Sequence, residues 1–220
     1  MNNKVFVICT KEDSYILKNI EYLKKHYPTS GIIVVDSDSD DKSYMDKIRQ
    51  LYPDVVIEDI KNRNYEYGSI MYTFNKYKDN YDTWFFIQDS LHIVEPMNLD
   101  NLDDNTVLVF DHNTSGYNSF GKRQTEEYHK QYPEWFKRLD YVSANGKLMT
   151  LWNSFIIKRD TFDKCINSDI FKTAPHAPHD KNGSMFWERA WTSVFLGNKL
   201  EMKVIIRNPL PINKIFAKRV

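Results

Sequence analysis

Asp89 stands at the end of an apolar run, where Trp84-Phe85-Phe86-Ile87 gives way at once to Gln88-Asp89-Ser90. A run of this kind, rich in aromatic and branched side chains, reads as a buried strand. Open α/β sheets bind their ligands at the carboxyl ends of such strands. A carboxylate there suits a magnesium or manganese ion, both of which prefer oxygen ligands. The competing role is a cap on the turn. Gln88, Ser90 and His92 lie beside Asp89 in the sequence. A second run, Gly31-Ile32-Ile33-Val34-Val35, ends in Asp36-Ser37-Asp38-Ser39-Asp40-Asp41. Asp36 would accept hydrogen bonds from a base or a ribose, or else belongs to a solvated acidic turn of the kind Asp and Ser favour. Asp38, Asp40 and Asp41 read as solvated or capping acids. A calcium loop is rejected here, because Asp41 replaces the glycine of the sixth position and Lys47 the acid of the twelfth. Two buried strands delivering acids to one edge suggest a site for a metal, a sugar or a nucleotide.

Other residues could join them. Thr10 and Lys11 follow the first strand and could line the same pocket, although Lys11 reads equally as a surface lysine. Arg63 carries a planar fork that suits phosphate, or is an exposed loop cation. Tyr67-Gly68 offers an aromatic face and a backbone open to close approach; Tyr67 is otherwise a core residue. His176-Ala177-Pro178-His179-Asp180 has two histidines three apart. No cysteine cluster or His-Glu-x-x-His helix accompanies them, so zinc is not indicated. A loop closing over the ligand is the better reading, with His179 as a metal or phosphate contact.

The elements that would position these residues alternate. Strands are expected at Val5–Thr10, Gly31–Val35, Val55–Ile57, Trp84–Ser90, Thr106–Phe110, Thr150–Ile157 and Met202–Ile206. Helices are expected at Ser14–His26, Ser43–Leu51, Ser69–Tyr77, Thr125–Arg138 with a break at Pro133, Arg159–Ile166 and Phe186–Leu196. The first helix carries Ile16, Leu17, Ile20 and Leu23 on one face. Repeated strand–helix alternation signifies a parallel sheet. The predicted fold is α/β: one domain over residues 1–220, a three-layer α/β/α sandwich with a mostly parallel central sheet. No repeat, low-complexity segment or linker interrupts it.

Composition narrows the classes. Thirty basic residues balance thirty acidic ones over 220 residues, so no global electrostatic footprint for nucleic acid exists. An aromatic content of 15% fits a packed core and rules against disorder. Cys9 and Cys165 read as free thiols of a reducing compartment. The amino terminus lacks a signal-peptide core and nothing approaches a membrane span, so the expected form is soluble and cytoplasmic. The tail Lys214-Ile215-Phe216-Ala217-Lys218-Arg219 mixes basic and apolar residues that could touch a membrane surface weakly, or a partner. Its shortness favours an ordinary terminus.

The ordered set of Thr10-Lys11, Asp36, Tyr67-Gly68 before a helix and the apolar strand ending near Asp89 resembles the GT-A fold glycosyltransferases, especially the family 2-like inverting enzymes. The resemblance continues through the later Asn153–Ile157 strand and Glu188. It implies a nucleotide-diphosphate sugar donor, with uridine, guanosine or thymidine as base, a glycan hydroxyl as acceptor, and Mn2+ or Mg2+ at the leaving diphosphate. Residues 1 to about 110 would bind the donor through Thr10, Lys11, Asp36, Arg63, Tyr67, Gly68, Gln88 and Asp89. Residues from about 111 onward would face the acceptor through Trp152, Asn153 and Trp187, though buried core tryptophans are commoner than sugar platforms. Gln88-Asp89-Ser90 departs from the family's Asp-x-Asp: its outer positions, which carry the metal carboxylates there, are Gln and Ser. Asp89 would take that role alone or with His92, His179 or Asp180. Inversion needs a base on the acceptor hydroxyl. Glu188, within Met185-Phe186-Trp187-Glu188-Arg189-Ala190-Trp191, is the first choice and Asp180 the reserve; the alternative for Glu188 is an ordinary helix acid paired with a base. Two rival functions stand beside this one. The missing Asp-x-Asp points to a non-catalytic nucleotide- or sugar-binding module. A nucleotidyltransferase would need a Gly-rich or basic phosphate loop, and none is found.

Overall fold

Val5, Val7 and Cys9 pack against one side of the first strand and Phe6 and Ile8 against the other, and all are buried. A strand apolar on both faces must lie inside a sheet covered on both sides. The computed structural model describes residues 3–10, 15–61, 65–93, 95–110, 126–135, 137–138, 148–176, 181–205 and 212–214. It is α/β, with a seven-stranded sheet in the order β3-β2-β1-β4-β7-β6-β8. These strands are β1 (Lys4–Thr10), β2 (Gly31–Asp36), β3 (Val56–Asp59), β4 (Thr83–Gln88), β6 (Thr106–Val109), β7 (Phe155–Lys158) and β8 (Glu201–Val204). β1 pairs in parallel with β2 and β4, and β2 with β3. β7 is antiparallel to both β4 and β6, while β6 and β8 are parallel. A separate ribbon joins β5 (Leu91–Ile93) to β9 (Ile212–Lys214).

The helices divide between the two faces. α1 (Ile16–His26) and α2 (Ser43–Leu51) bury Ile16, Ile20, Leu23 and Ile48 against Phe6, Ile8, Phe85 and Ile87. α3 (Tyr65–Tyr77), α5 (Arg159–Ile166), α6 (Asp169–Lys172) and α7 (Lys181–Gly197) cover the other face with Ile70, Phe74, Phe162, Phe171, Trp187 and Trp191. α4 (Glu126–Gln131) precedes a break at Tyr132, and residues 133–135 are helical again beyond it. This division is compatible with the expected three-layer sandwich.

The chain leaves β1 for β2 and β3 on one side, then returns to place β4 on the other. The strand order therefore reverses between β1 and β4. Crevices at such a switch point, outside the carboxyl ends of the strands, are where ligands bind.

Several expected boundaries are corrected. α7 starts at Lys181, five residues before the predicted Phe186. α3 starts at Tyr65, four residues before the predicted Ser69, because Tyr67 and Gly68 lie on its buried side. Asp89 and Ser90 form a turn after β4, so the strand ends at Gln88. Residues Leu151–Asn153 are a tight turn before β7, with Trp152 and Asn153 both in the left-handed region at φ 58° and 50°.

Lys199 is also left-handed, at φ 63°. It ends α7 in a Schellman arrangement, its N–H donating to Leu196 O at 3.0 Å and that of Leu200 to Phe195 O at 3.0 Å. The side chain is exposed, so Lys199→Gly removes backbone strain without costing packing. An expected gain of about 0.5–1 kcal/mol, after the added flexibility of the unfolded chain, raises the melting temperature by roughly 1–4 °C. Differential scanning calorimetry checks it.

Candidate functional site

The ends of β2 and β4 flank the end of β1. Thr10 pairs with Asp36 across one ladder and Cys9 with Gln88 across the other. Beyond the pairs, Ser37 N–H donates to Thr10 O and Asp89 N–H to Cys9 O, each at 3.0 Å. Asp36 and Asp89 thus stand on either side of one strand end, at the switch point. Tyr44 senses both: burial pushes its phenol well up, Asp36 adds a hydrogen bond and its charge, and Asp89 adds its charge. Tyr44 therefore stays a hydrogen-bond donor.

Asp36 is fully buried at 0% exposure. One carboxylate oxygen accepts from Ser39 N–H at 2.9 Å and the other from the Tyr44 hydroxyl. Lys42 Nζ is 3.9 Å away while holding both oxygens of Asp59 at 2.9 Å. These contacts fold the acidic turn onto α2, and they engage Asp36 in the capping role that Asp and Ser favour at turns. Solvation, the other sequence reading, does not apply to it.

Asp89 is 6% exposed. Asn19, from α1, donates its side-chain amide to the Asp89 carbonyl. Asn19 is buried, and among the described residues neither its own Oδ1 nor Thr10 Oγ1 has a hydrogen-bond partner. Asn19 was legible in principle. It occupies a core position of the α1 stripe Ile16, Ile20, Leu23, where an amide has no packing reason to be.

On the opposite face, Glu66 from the first turn of α3 joins three elements. It accepts from Gln88 Nε2 at 2.7 Å on one oxygen and from the Ser184 hydroxyl of α7 on the other. Asn153 Nδ2 donates to Ser184 O and Oγ, both at 3.2 Å. Gln88 N–H donates to Ser154 Oγ at 3.1 Å, and Ser154 in turn donates to Trp152 O at 3.0 Å. The left-handed Trp152-Asn153 turn is held by this network. Strain of about 1–3 kcal/mol per such residue persists only where surroundings over-determine it. Asp38, Lys61 and Tyr65 are left-handed too: Asp38 follows β2, Lys61 follows β3, and Tyr65 opens α3. Glu66 and Ser184 carried no sequence signal, since their partners lie 22 and 118 residues away.

The Cys9 thiol lies beneath this edge. Burial pushes it well above the ordinary thiol range, with Glu66 and Asp89 adding to the effect. Cys165 is pushed up to about 12 by burial. Both are free and buried, which leaves them inert as nucleophiles.

The acceptor-side residues divide. Trp187 is 0% exposed, stacks on Tyr67 at 4.2 Å, and donates Nε1–H to Pro175 O at 3.0 Å. Tyr67 bonds His176 Nδ1 at 2.7 Å. The expectation that Trp187 and Tyr67 offer faces to a ligand is therefore corrected: both are core, because the wide sheet face needs large side chains to fill it. Gly68 is buried in the same helix. Trp152 is half-buried, packed on the α1 side. Glu188 keeps 19% side-chain exposure, with Arg189 Nη1 at 3.6 Å from Oε2 and Thr150 donating to its carbonyl at 2.8 Å. Its position one turn beyond Ser184 on α7 puts it deeper along the helix than the Glu66 network. Lys11, Arg63, His179 and Asp180, the 111–121 loop and the 215–219 part of the tail lie outside the described residues, as does the His92 side chain.

Among the described residues, no three His, Cys, Asp or Glu side chains gather closely enough to hold a metal ion by themselves, and no helix is long and apolar enough to cross a membrane. Compared with known proteins, the sequence matches no family model and no curated protein.

Proposed function

We propose that the chain is a GT-A-type glycosyltransferase, moving a sugar from a nucleotide-diphosphate donor to a glycan hydroxyl with inversion. One observation carries the reading: Asp36 and Asp89 flank the end of β1 at the sheet's switch point. That is where a nucleotide's phosphates would lie. Magnesium and manganese commonly take one or two carboxylates, with phosphate oxygens and water completing the shell. Asp89 fits that share of a site completed by the donor itself. A cation there would neutralise the charge building on the leaving diphosphate. Glu188 remains the candidate base, with Asp180 in reserve; its partial exposure beside Arg189 suits a group that must meet an acceptor.

The test is calorimetric titration with uridine, guanosine and thymidine diphosphate sugars, with and without Mn2+. Manganese-dependent binding by one donor is expected, followed by release of free nucleotide when an acceptor is supplied. Absence of binding by every donor would end this reading. A second reading, a non-catalytic binding module, is favoured by the engagement of Asp36 within its own turn. Binding without turnover, unchanged in Glu188→Ala, would select it.

A further inference from the structure

A side-chain amide has two unlike ends, and its orientation decides what it can bind. A carboxylate can only accept hydrogen bonds. Glu66 lies 2.7 Å from Gln88 Nε2, so the nitrogen end of Gln88 must face α3. The oxygen end then faces the Ser90 side, where Oε1 accepts from Ser90 Oγ at 3.2 Å. Glu66 is itself fixed from α7 by the Ser184 hydroxyl, which Asn153 supports. The strained Trp152-Asn153 turn belongs to the same network.

We propose that Glu66 is a positioning residue that locks the Gln88 amide, so that β4 ends in an oxygen-only donor set of Gln88 Oε1, the Asp89 carboxylate and Ser90 Oγ. This rests on the glycosyltransferase reading, and it explains how a strand end with one acid can serve a hard cation. Carbonyl and carboxylate oxygens suit magnesium and manganese, whereas an amide nitrogen facing the ion would repel it. A carbonyl oxygen has two lone pairs, so Ser90 and a cation can share it. Loss of a residue that orients a metal ligand typically costs 10- to 100-fold in metal affinity.

Glu66→Gln keeps the size of the side chain but can present either amide end, which releases Gln88 to flip. The double variant Glu66→Gln/Gln88→Glu exchanges the pair: the amide now sits on α3 and a carboxylate on β4, still hydrogen-bonded to each other. Mn2+ is titrated by its paramagnetic resonance signal, with UDP and separately with GDP present, alongside the nitrogen–proton spectrum of the Gln88 side chain. The expected result is about a tenfold loss of Mn2+ affinity in Glu66→Gln, recovery in the double variant, and Gln88 amide protons that lose their exchange protection in Glu66→Gln. A purely structural Glu66 would leave Mn2+ affinity unmoved in Glu66→Gln. Equal Mn2+ affinity in wild type and Glu66→Gln overturns the proposal, as does a Gln88 amide indifferent to that change. A locked Gln88 amide in a wild-type protein that binds no Mn2+ would instead overturn the metal-dependent reading of the previous section, and with it the donor role of Gln88.

Discussion

Asp89→Asn should abolish manganese-dependent donor binding, by about 100-fold or more, while leaving the protein as stable as before or slightly more so. The change keeps the side chain's shape. It also keeps the backbone contacts that hold the turn, from Asp89 N–H to Cys9 O and from Asn19 to the Asp89 carbonyl. What it removes is charge. Asp89 shares one sheet edge with Asp36 and Glu66: Tyr44 is pushed up by burial first and then by Asp36 and Asp89, and Cys9 by burial, Glu66 and Asp89. Like charges held together in a buried place disfavour the folded state. Neutralising one relieves that repulsion, and a gain in stability accompanied by a loss of function marks a residue kept for binding. A capping role predicts the opposite pair of results, a loss of stability with binding intact. Thermal denaturation of both proteins, paired with titration of donor and Mn2+, separates the two.

Trp187→Ala should lower stability by about 3–5 kcal/mol, a fall of roughly 10 °C in melting temperature. The indole is fully buried at the centre of an aromatic cluster, 4.2 Å from Tyr67, 4.8 Å from Trp191 and 5.6 Å from Phe171. Its truncation leaves a cavity between α3, α6 and α7 and strips the Pro175 carbonyl of its donor. Trp187→Phe, which keeps a ring, should cost less. Were Trp187 a sugar platform, truncation would weaken acceptor use and leave the melting temperature alone. Calorimetric unfolding of the two variants decides between core and platform.

The alternation of strands and helices could be read in advance because each element carries its own period. Ser43–Leu51 and Arg159–Ile166 have the bounds their apolar spacing predicts, and the uninterrupted apolar runs of β1, β2 and β4 could only be buried strands. The short β5–β9 ribbon was not legible, since three residues per strand carry too little pattern. Nor was the left-handed turn at Trp152-Asn153. Its residues run directly into the apolar segment of β7 without a glycine or proline to mark a turn, and contacts with Ser184 and Ser154 hold them out of the strand.

From the chain alone came the acids at strand ends, because a carboxylate interrupting an apolar run is a local fact. Tertiary structure decided which groups surround them. Glu66 reaches Gln88 from the helix α3, Asn19 reaches Asp89 from the opposite face, and Tyr44 turns Asp36 inward. Hydrogen bonds between residues distant in sequence leave no periodic trace in it. They exist only once the sheet has brought β1, β2 and β4 side by side and packed a helical layer on each face.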